Sequence, residues 1–438
     1  MPTEWTEMAL GELCLKITDG SHSSPPSVPF GKPMASVKDL TPFGLDLKDA
    51  RNISIFDYDL LVKQECQPKV GDVLIAKDGN SALDTTCWVK EPLSVVLLSS
   101  VAILRPNPKK LLPEYLKQYL SSPETISYLK SEFISGGVIP RVILKDFKRA
   151  VVKLPSIREQ RRIAHILGTL DDKIENNRKT AKTLEAMAQA IFKSWFVDFD
   201  PVRAKMNGES RESICKRLKL TPEILDLFPD RLVDSELGEL PEGWRLDSIY
   251  KIANIIYGAP FDSSQFNTKQ LGEPLIRIRD LVNEIPGVWT TENHPRGYKV
   301  KRGDIVVGMD GEFRAYLWGG AEAWLNQRVC VFSPKGGYSS PFVRNSIIPL
   351  LAEVEASEIA TTVIHLGKND IDNFTAIIPT HIITAAFNEI TIPIYSDIVR
   401  AKWESHMLVR IRDALLPKLI SGEIRVQEAE HFIENIEG

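Results

Sequence analysis

The chain is poor in the residue patterns that usually announce chemistry. Five cysteines (Cys14, Cys66, Cys87, Cys215 and Cys330) are scattered through 438 residues, with no Cys-x-x-Cys pair. Such a set suits a reducing compartment and argues against a disulfide frame or a structural zinc site, and Cys14 and Cys330 are read as structural. Seven scattered histidines form no His-Glu-x-x-His, so no metal is expected. There is no Gly-x-x-x-x-Gly-Lys-Ser/Thr, no Gly-x-Gly and no Gly-x-Ser-x-Gly. A P-loop, a dinucleotide fingerprint and a nucleophile elbow are thereby excluded. No Asn-Pro-Pro-aromatic or Asp-Pro-Pro-Tyr tetrad is present, and no Glu-x-Lys. Asp146-Phe147-Lys148 and Asp171-Asp172-Lys173 match Asp-x-Lys, but without an upstream Pro-Asp they read as solvated charge pairs. The expectation is a protein with no catalytic residues and no cofactor of its own. No run of 18 apolar residues exists, and Met1-Pro2-Thr3-Glu4-Trp5 has neither a basic nor an apolar signal segment. A cytoplasmic protein, neither membrane-bound nor secreted, is expected.

What remains is an ordinary folding composition, 43% hydrophobic and 26% charged, with 54 Lys+Arg against 58 Asp+Glu. At roughly 150 residues per domain the length predicts about three units, or two large ones with connecting structure. Taken alone, the formal charge of −4 argues against a nucleic-acid binder.

Residues 1–155 read as an α+β domain. Val70–Ile75, Val95–Leu98 and Val101–Leu104 are β-rich, Asp19-Gly20-Ser21 and Asp78-Gly79-Asn80 are turns, and Pro113–Leu120 is helical. The texture then changes. Ser156-Ile157-Arg158-Glu159 is a capping box opening a short helix, which Gly168 interrupts; Thr169 then caps a second helix. Leu170, Ile174, Asn177, Ala181, Leu184, Ala188, Ile191 and Trp195 repeat at alternating spacings of 4 and 3, an a/d heptad seam. At about 1.5 Å per residue this seam is about 38 Å long, and its 3.5-residue period wants a partner helix. Trp195 is read as core at the bundle end. Residues 156–197 form this spacer, and 198–243, punctuated by Pro201, Pro222 and Pro241-Glu242-Gly243, read as linker.

The second half repeats the first. Val37-Lys38-Asp39-Leu40 compares with Ile278-Arg279-Asp280-Leu281, and Lys69-Val70-Gly71-Asp72 with Lys301-Arg302-Gly303-Asp304. Asp78-Gly79 and Asp310-Gly311 keep the same offset of 232 residues. A second domain (244–392) is followed by a second helix and tail (393–438). In it Ile398, Ala401, Ser405, Leu408, Ile411 and Leu415 share a face, Pro417 bends the helix, and Ser421-Gly422 ends it. Two helices with apolar seams can pair antiparallel, so one chain imitates a two-fold dimer. DNA readers of that symmetry span half-sites about 34–36 Å apart.

At this point the chain resembles the specificity subunit of type I restriction–modification systems. The resemblance is carried by Leu154-Pro155-Ser156-Ile157-Arg158-Glu159-Gln160-Arg161-Arg162-Ile163-Ala164, Leu170-Asp171-Asp172-Lys173-Ile174-Glu175, Phe192-Lys193-Ser194-Trp195-Phe196-Val197-Asp198-Phe199 and Leu415-Leu416-Pro417-Lys418-Leu419-Ile420-Ser421-Gly422-Glu423-Ile424. It implies two tandem α/β target-recognition domains, separated by two long antiparallel coiled-coil helices with pseudo-two-fold symmetry. It implies double-stranded DNA with a bipartite target, and two methyltransferase subunits docked on the spacer; Arg158, Gln160, Arg161 and Arg162 are the docking candidates, with phosphate contact or plain helix surface the alternatives for Arg161 and Arg162. Restriction subunits join through them. S-adenosylmethionine belongs to the methyltransferase partner, which modifies adenine N6; ATP and Mg belong to the restriction partner. One departure is Ile392-Pro393-Ile394-Tyr395-Ser396, where the second block lacks the Arg-Glu-Gln of the first. A coiled-coil interaction scaffold without DNA specificity is the competing reading.

Base readout needs forked donors and amides, and phosphate contacts need cations or backbone amides. In the first domain Thr18, Ser21 and His22 form one candidate loop, and Lys77, Asp78 and Asn80 another. Ser135, Gly136, Gly137 and Arg141 form a third. In the second domain the candidates are Tyr257, Gly258, Arg277 and Arg279, then Asp310, Glu312, Phe313 and Arg314. Asn326, Gln327 and Arg328 place three readout types in one tripeptide, and His365, Lys368 and Asn369 match the third loop.

Overall fold

The computed structural model describes residues 5–135, 140–235, 238–357 and 364–429. The chain forms two compact units, Met1–Glu175 with Met407–Gly438, and Asn176–His406. Each long helix contributes residues to both.

In the first unit the strand Thr6–Ala9 pairs antiparallel with Val151–Leu154 and ties the start of the domain to its end. Between them lies an antiparallel sheet ordered Cys14–Asp19, Val101–Pro106, Val73–Ala76, Thr86–Trp88. The central strands are buried on both faces, and this is why they read as unbroken apolar runs. A smaller sheet sets Lys32–Ala35 between Arg51–Ile53 and Val96–Leu97, the latter pair parallel (Met34↔Val96). The Gly71-Asp72 turn has a structural role. Asp72 is fully buried, accepts from the Lys69 amide at 2.7 Å, and receives Arg105 in a fork at 2.7 and 2.8 Å.

The second unit repeats this plan. Arg245–Ser248 pairs with Thr375–Ile378. The main sheet is ordered Ala253–Tyr257, Val329–Pro334, Ile305–Gly308, Ala315–Leu317. In the smaller sheet Glu273–Ile276 again runs parallel to its neighbour, Ala323–Leu325 (Leu275↔Trp324). Asp304 repeats the turn, accepting from the Lys301 amide at 2.8 Å and the Tyr298 hydroxyl at 2.9 Å. The architecture is therefore α+β, with two domains of one topology.

The helical segments differ from the sequence reading at several points. Ile157–Phe196 is one continuous helix, not two. Gly168 stays helical, and the Thr169 hydroxyl donates to the His165 carbonyl at 2.8 Å instead of capping a new start. A lone glycine costs a helix only about 1 kcal/mol, which the buried neighbours Ile163, Leu167 and Leu170 outweigh. The Ser156 cap does form, its hydroxyl accepting from the Glu159 amide at 3.2 Å. The second long helix runs from His381, well before residue 393, to Ser421 through Pro417. Burial of Leu415, Leu416, Leu419 and Ile420 holds that last stretch against the proline. By length and composition His381–Ser421 is also apolar enough to cross a membrane. Its Ile383, Phe387, Tyr395 and Ile398 are nevertheless buried in the second unit.

Leu170, Ile174, Asn177, Ala181, Ala188 and Trp195 of the seam are buried, as are Ile398, Ala401, Ile411 and Leu415; Leu184, Ile191 and Leu408 are half-buried. Within the second unit Asn177 donates to Glu404 at 2.9 Å while Phe192 meets Phe387 at 6.0 Å, so the helices there run antiparallel. Residues 198–243 are more than linker. They form the helices Asp200–Met206, Arg211–Leu218 and Pro222–Asp226 and the hairpin Leu232–Ser235/Gly238–Pro241. Val202, Ile214, Leu225, Phe228 and Leu240 share one core with Trp195, Phe196 and Trp244.

Candidate nucleic-acid interface

The same edge of the main sheet gathers the polar loops in both units. In the first, Ser21 bridges Leu98 in parallel and Asp78 bridges Arg141 antiparallel. In the second, Ala259 bridges Asn326 in parallel and Asp310 bridges His365 antiparallel. The backbone bonds around them also repeat. The Lys77 amide donates to the Ser100 carbonyl at 2.9 Å, and the Met309 amide to that of Arg328 at 2.8 Å. The parallel bridges bring two backbones so close that only glycine fits beside them. A Cβ on Gly20 would lie 2.2 Å from the Leu97 carbonyl oxygen, and one on Gly258 1.9 Å from that of Asn326. Gly258 is thus set by close packing.

The first edge is internally neutralised. Lys77 is 5% exposed and donates to Asp19 at 2.6 Å. Burial and pairing remove it from the cations that could meet phosphate, contrary to the sequence reading. His22 is exposed, with Nε2 3.2 Å from the same Asp19 carboxylate. Arg141 is exposed and lies 3.1 Å from Asp78. Asn80 is exposed, and Thr18 is half-buried in the strand facing Ile103. Ser21 is buried, its hydroxyl donating to the Ser23 carbonyl at 2.8 Å. The Ser135 backbone pairs with Arg141, while Gly136 and Gly137 lie outside the described residues.

The second edge is built around Asp310. Its carboxylate is 2.6 Å from His365 Nδ1 and 3.6 Å from the Arg328 guanidinium, which is itself 3.2 Å from that imidazole nitrogen. Arg328 has a positive φ of 69°, a turn conformation that L residues rarely adopt. Gln327 and Arg328 are exposed, but Asn326 is 8% exposed and its Oδ1 is buried without a partner in the structure. Phe313 is a correction: it is 2% exposed and packs in the core with Met309 and Leu366, so its ring cannot reach a ligand. Arg314 is held by Glu355 at 2.7 Å and Glu312 at 3.5 Å. Arg277 folds back on Asp280 at 3.2 Å, closing a tight turn, while its neighbour Arg279 is exposed. Lys368 and Asn369 are exposed at the start of the short helix Lys368–Asp372. Tyr257 is part-exposed, and burial, with the nearby Cys330, raises its hydroxyl pKa.

Sequence reasoning missed Asp19 and Ser100. Asp19 carries the same Asp-Gly turn signal as Asp78, whereas nothing in its local pattern marks Ser100; the paired strands bring both to the edge.

Gln160 also departs from the sequence reading, because it is fully buried and spans three backbone groups. Its Oε1 accepts from the Leu112 amide at 2.9 Å, and its Nε2 donates to the Lys110 and Pro155 carbonyls at 3.0 Å each. It cannot also touch a partner. Arg158 and Arg161 are exposed and Arg162 is half-buried.

Residues 2–186, the first domain and most of its long helix, match the family described as type I restriction modification DNA specificity domain. The chain is 28% identical over 408 residues to the type I restriction enzyme HindI specificity subunit of Haemophilus influenzae, covering 81% of this chain and 87% of that one. It is 27% identical over 328 residues to the MjaIX specificity subunit of Methanocaldococcus jannaschii, covering 73% and 70%. In structure it is similar to the type I restriction–modification S subunit from M. genitalium, with a TM-score of 0.56 at 13% identity over 95% of this chain and 96% of that one. The likeness to these relatives runs through both duplicated domains. Residues 2–186 carry the type I restriction modification DNA specificity domain, and most of the chain is similar to type I specificity subunits.

Proposed function

We propose that each unit's edge reads one half of a bipartite DNA target, and that the two long helices fix the spacing between the halves. The observation that carries this is the repetition of one edge, Asp78–Arg141 in one domain and Asp310–His365 in the other, on sheets of the same order. Two readers of one geometry with different side chains suit two different half-sites. In the first, Thr18, His22, Asp78, Asn80 and Arg141 are the readout candidates. In the second they are Tyr257, Arg279, Asp310, Gln327, Arg328, His365, Lys368 and Asn369. Bases are read by forked donors and amides at such edges, and phosphates by the flanking cations and amides.

The exposed first turns of the Ile157–Phe196 helix, with Arg158, Arg161 and Arg162, dock a methyltransferase subunit. Ile382, Ile383 and Thr384 are the repeat equivalents of Arg158, Glu159 and Gln160, since both helices follow their strands at the same distance. The second docking site therefore lacks the arginine, and the two sites are not equivalent. The chain itself performs no covalent step. Adenine N6 methylation with S-adenosylmethionine, and ATP- and Mg-dependent restriction, reside in partner subunits that meet the chain on cytoplasmic DNA. Methylome sequencing of a strain with and without this gene tests the proposal. One bipartite motif should disappear with the gene; an unchanged methylome overturns the reading.

A further inference from the structure

Each unit holds a buried polar knot at the same place in the repeat. The helix after the strand Val101–Pro106 or Val329–Pro334 carries a basic residue followed by an amide: Lys117-Gln118 in Pro113–Ser121, and Arg344-Asn345 in Ser340–Ser357. All four are at least nine-tenths buried. In the first unit Lys117 donates to Asp171 at 2.5 Å and Gln118 donates to it at 2.8 Å. In the second, Arg344 and Asn345 donate to the Tyr395 hydroxyl at 3.4 and 3.3 Å. Asp171 and Tyr395 hold the same position, since each lies on the long helix that follows its own domain, seventeen residues past the closing strand that ends at Leu154 or Ile378. The opposite long helix completes each knot. Arg412 reaches Asp171 at 3.0 Å, and Glu185 pairs with Arg344.

The knots share a position but differ in charge order. In the first, the opposite helix brings a cation to an anion; in the second, it brings an anion to a cation. Buried ion pairs are poor stabilisers compared with apolar packing, yet losing one partner leaves a buried charge exposed to no compensation. Their best-attested use is to fix one arrangement among several that packing alone would allow. The elements fixed here are the recognition domain and both helices of its unit. The readout edge lies on the sheet that packs against the Lys117 or Arg344 helix.

We propose that Lys117 and Arg344 are positioning residues for half-site reading, each holding its recognition domain at one angle on the helix pair. Neither touches DNA; each acts through the edge it orients. This rests on the bipartite reading above. If a knot is cut, its domain samples several angles and reads its own half-site loosely, while the other half keeps its stringency.

The test is the methylome of cells expressing the full chain with its methyltransferase partner, as wild type, Lys117→Met and Arg344→Met. Wild type must first yield a bipartite motif; if it yields none, the bipartite reading fails and not the knot. Each methionine variant should then lose discrimination against single mismatches by about tenfold in one half only, the other variant affecting the other half. Lys117→Arg should restore the first half. If either variant lowers methylation at all sites with the motif unchanged, or relaxes both halves equally, the inference is overturned. Should a methionine variant fail to fold, Asp171→Asn and Glu185→Gln break the ion pairs of the same knots with little change of shape and are read against the same outcomes.

Discussion

Gln160 provides the sharpest test of the structural reading, because the sequence assigns it to partner docking and the structure to internal support. Gln160→Ala removes one acceptor and one amide donor group. It leaves the Leu112 amide and the Lys110 and Pro155 carbonyls facing a small dry gap. A buried backbone group left without a partner costs about 1–3 kcal/mol. Water entering the gap recovers part of this, so a total of about 3–5 kcal/mol is expected for the three groups together. In a unit of this size about 1 kcal/mol corresponds to about 2–4 °C in Tm. The first unfolding transition of the full chain should therefore fall by about 6–20 °C, measured by calorimetry. The transition of the Asn176–His406 unit should move far less. Below the lowered transition, affinity for the methyltransferase partner should be close to wild type. A variant with an unchanged Tm and a partner affinity reduced tenfold would refute the support role and return Gln160 to the interface.

Gly20→Ala and Gly258→Ala force a Cβ into a carbonyl oxygen at 2.2 and 1.9 Å, so each should cost several kcal/mol and spoil reading of one half-site; the methylome and Tm of each variant check this. Burial pushes the Asp171 carboxyl up, but Lys117, Gln118 and Arg412 outweigh it and hold it below its ordinary value of 3.8. A depressed carboxyl contributes stability above its unfolded pKa and loses it as pH falls through the folded one. Acid titration of Tm should therefore show a decline below about pH 4 that Asp171→Asn flattens, and equal slopes would contradict it. Inserting seven residues between Thr180 and Ala190 adds two helical turns and about 10 Å, so the unread gap in the target should lengthen; an unchanged gap refutes the spacer.

The repeat was legible because turns carry sequence signatures. Lys69-Val70-Gly71-Asp72 and Lys301-Arg302-Gly303-Asp304 must place an aspartate under its own loop, and few residues can do that. The seam was legible for the same reason: a 3.5-residue period has one physical meaning. The helix boundaries were not. Leu154-Pro155-Ser156 and Ile378-Pro379-Thr380 both precede long helices. That match fixes the second start, but the absence of a second Arg-Glu-Gln drew attention to residue 392. Gly168 and the 198–243 segment misled in a common way. Glycine and proline mark breaks only when tertiary packing does not oppose them, and here buried Leu167, Val202 and Phe228 do. Individual site residues were the least legible. A polar residue in a loop looks the same whether it faces solvent, like Asn80, or a buried carboxylate, like Lys77.

That last difference changes what the net charge of −4 means. The whole-chain balance speaks against DNA only if cations and anions are spread independently. At the two edges they are paired at close range: Lys77 with Asp19, Arg141 with Asp78, and Arg328 with Asp310. Such pairing holds long side chains in fixed directions, and fixed direction serves base readout, which depends on geometry. It serves phosphate attraction poorly, since that depends on unneutralised charge. In the proposed reading, an edge built this way discriminates among sequences without gripping the backbone strongly. In the proposed complex the affinity then comes from partners that supply cations, and the chain supplies the choice of sequence.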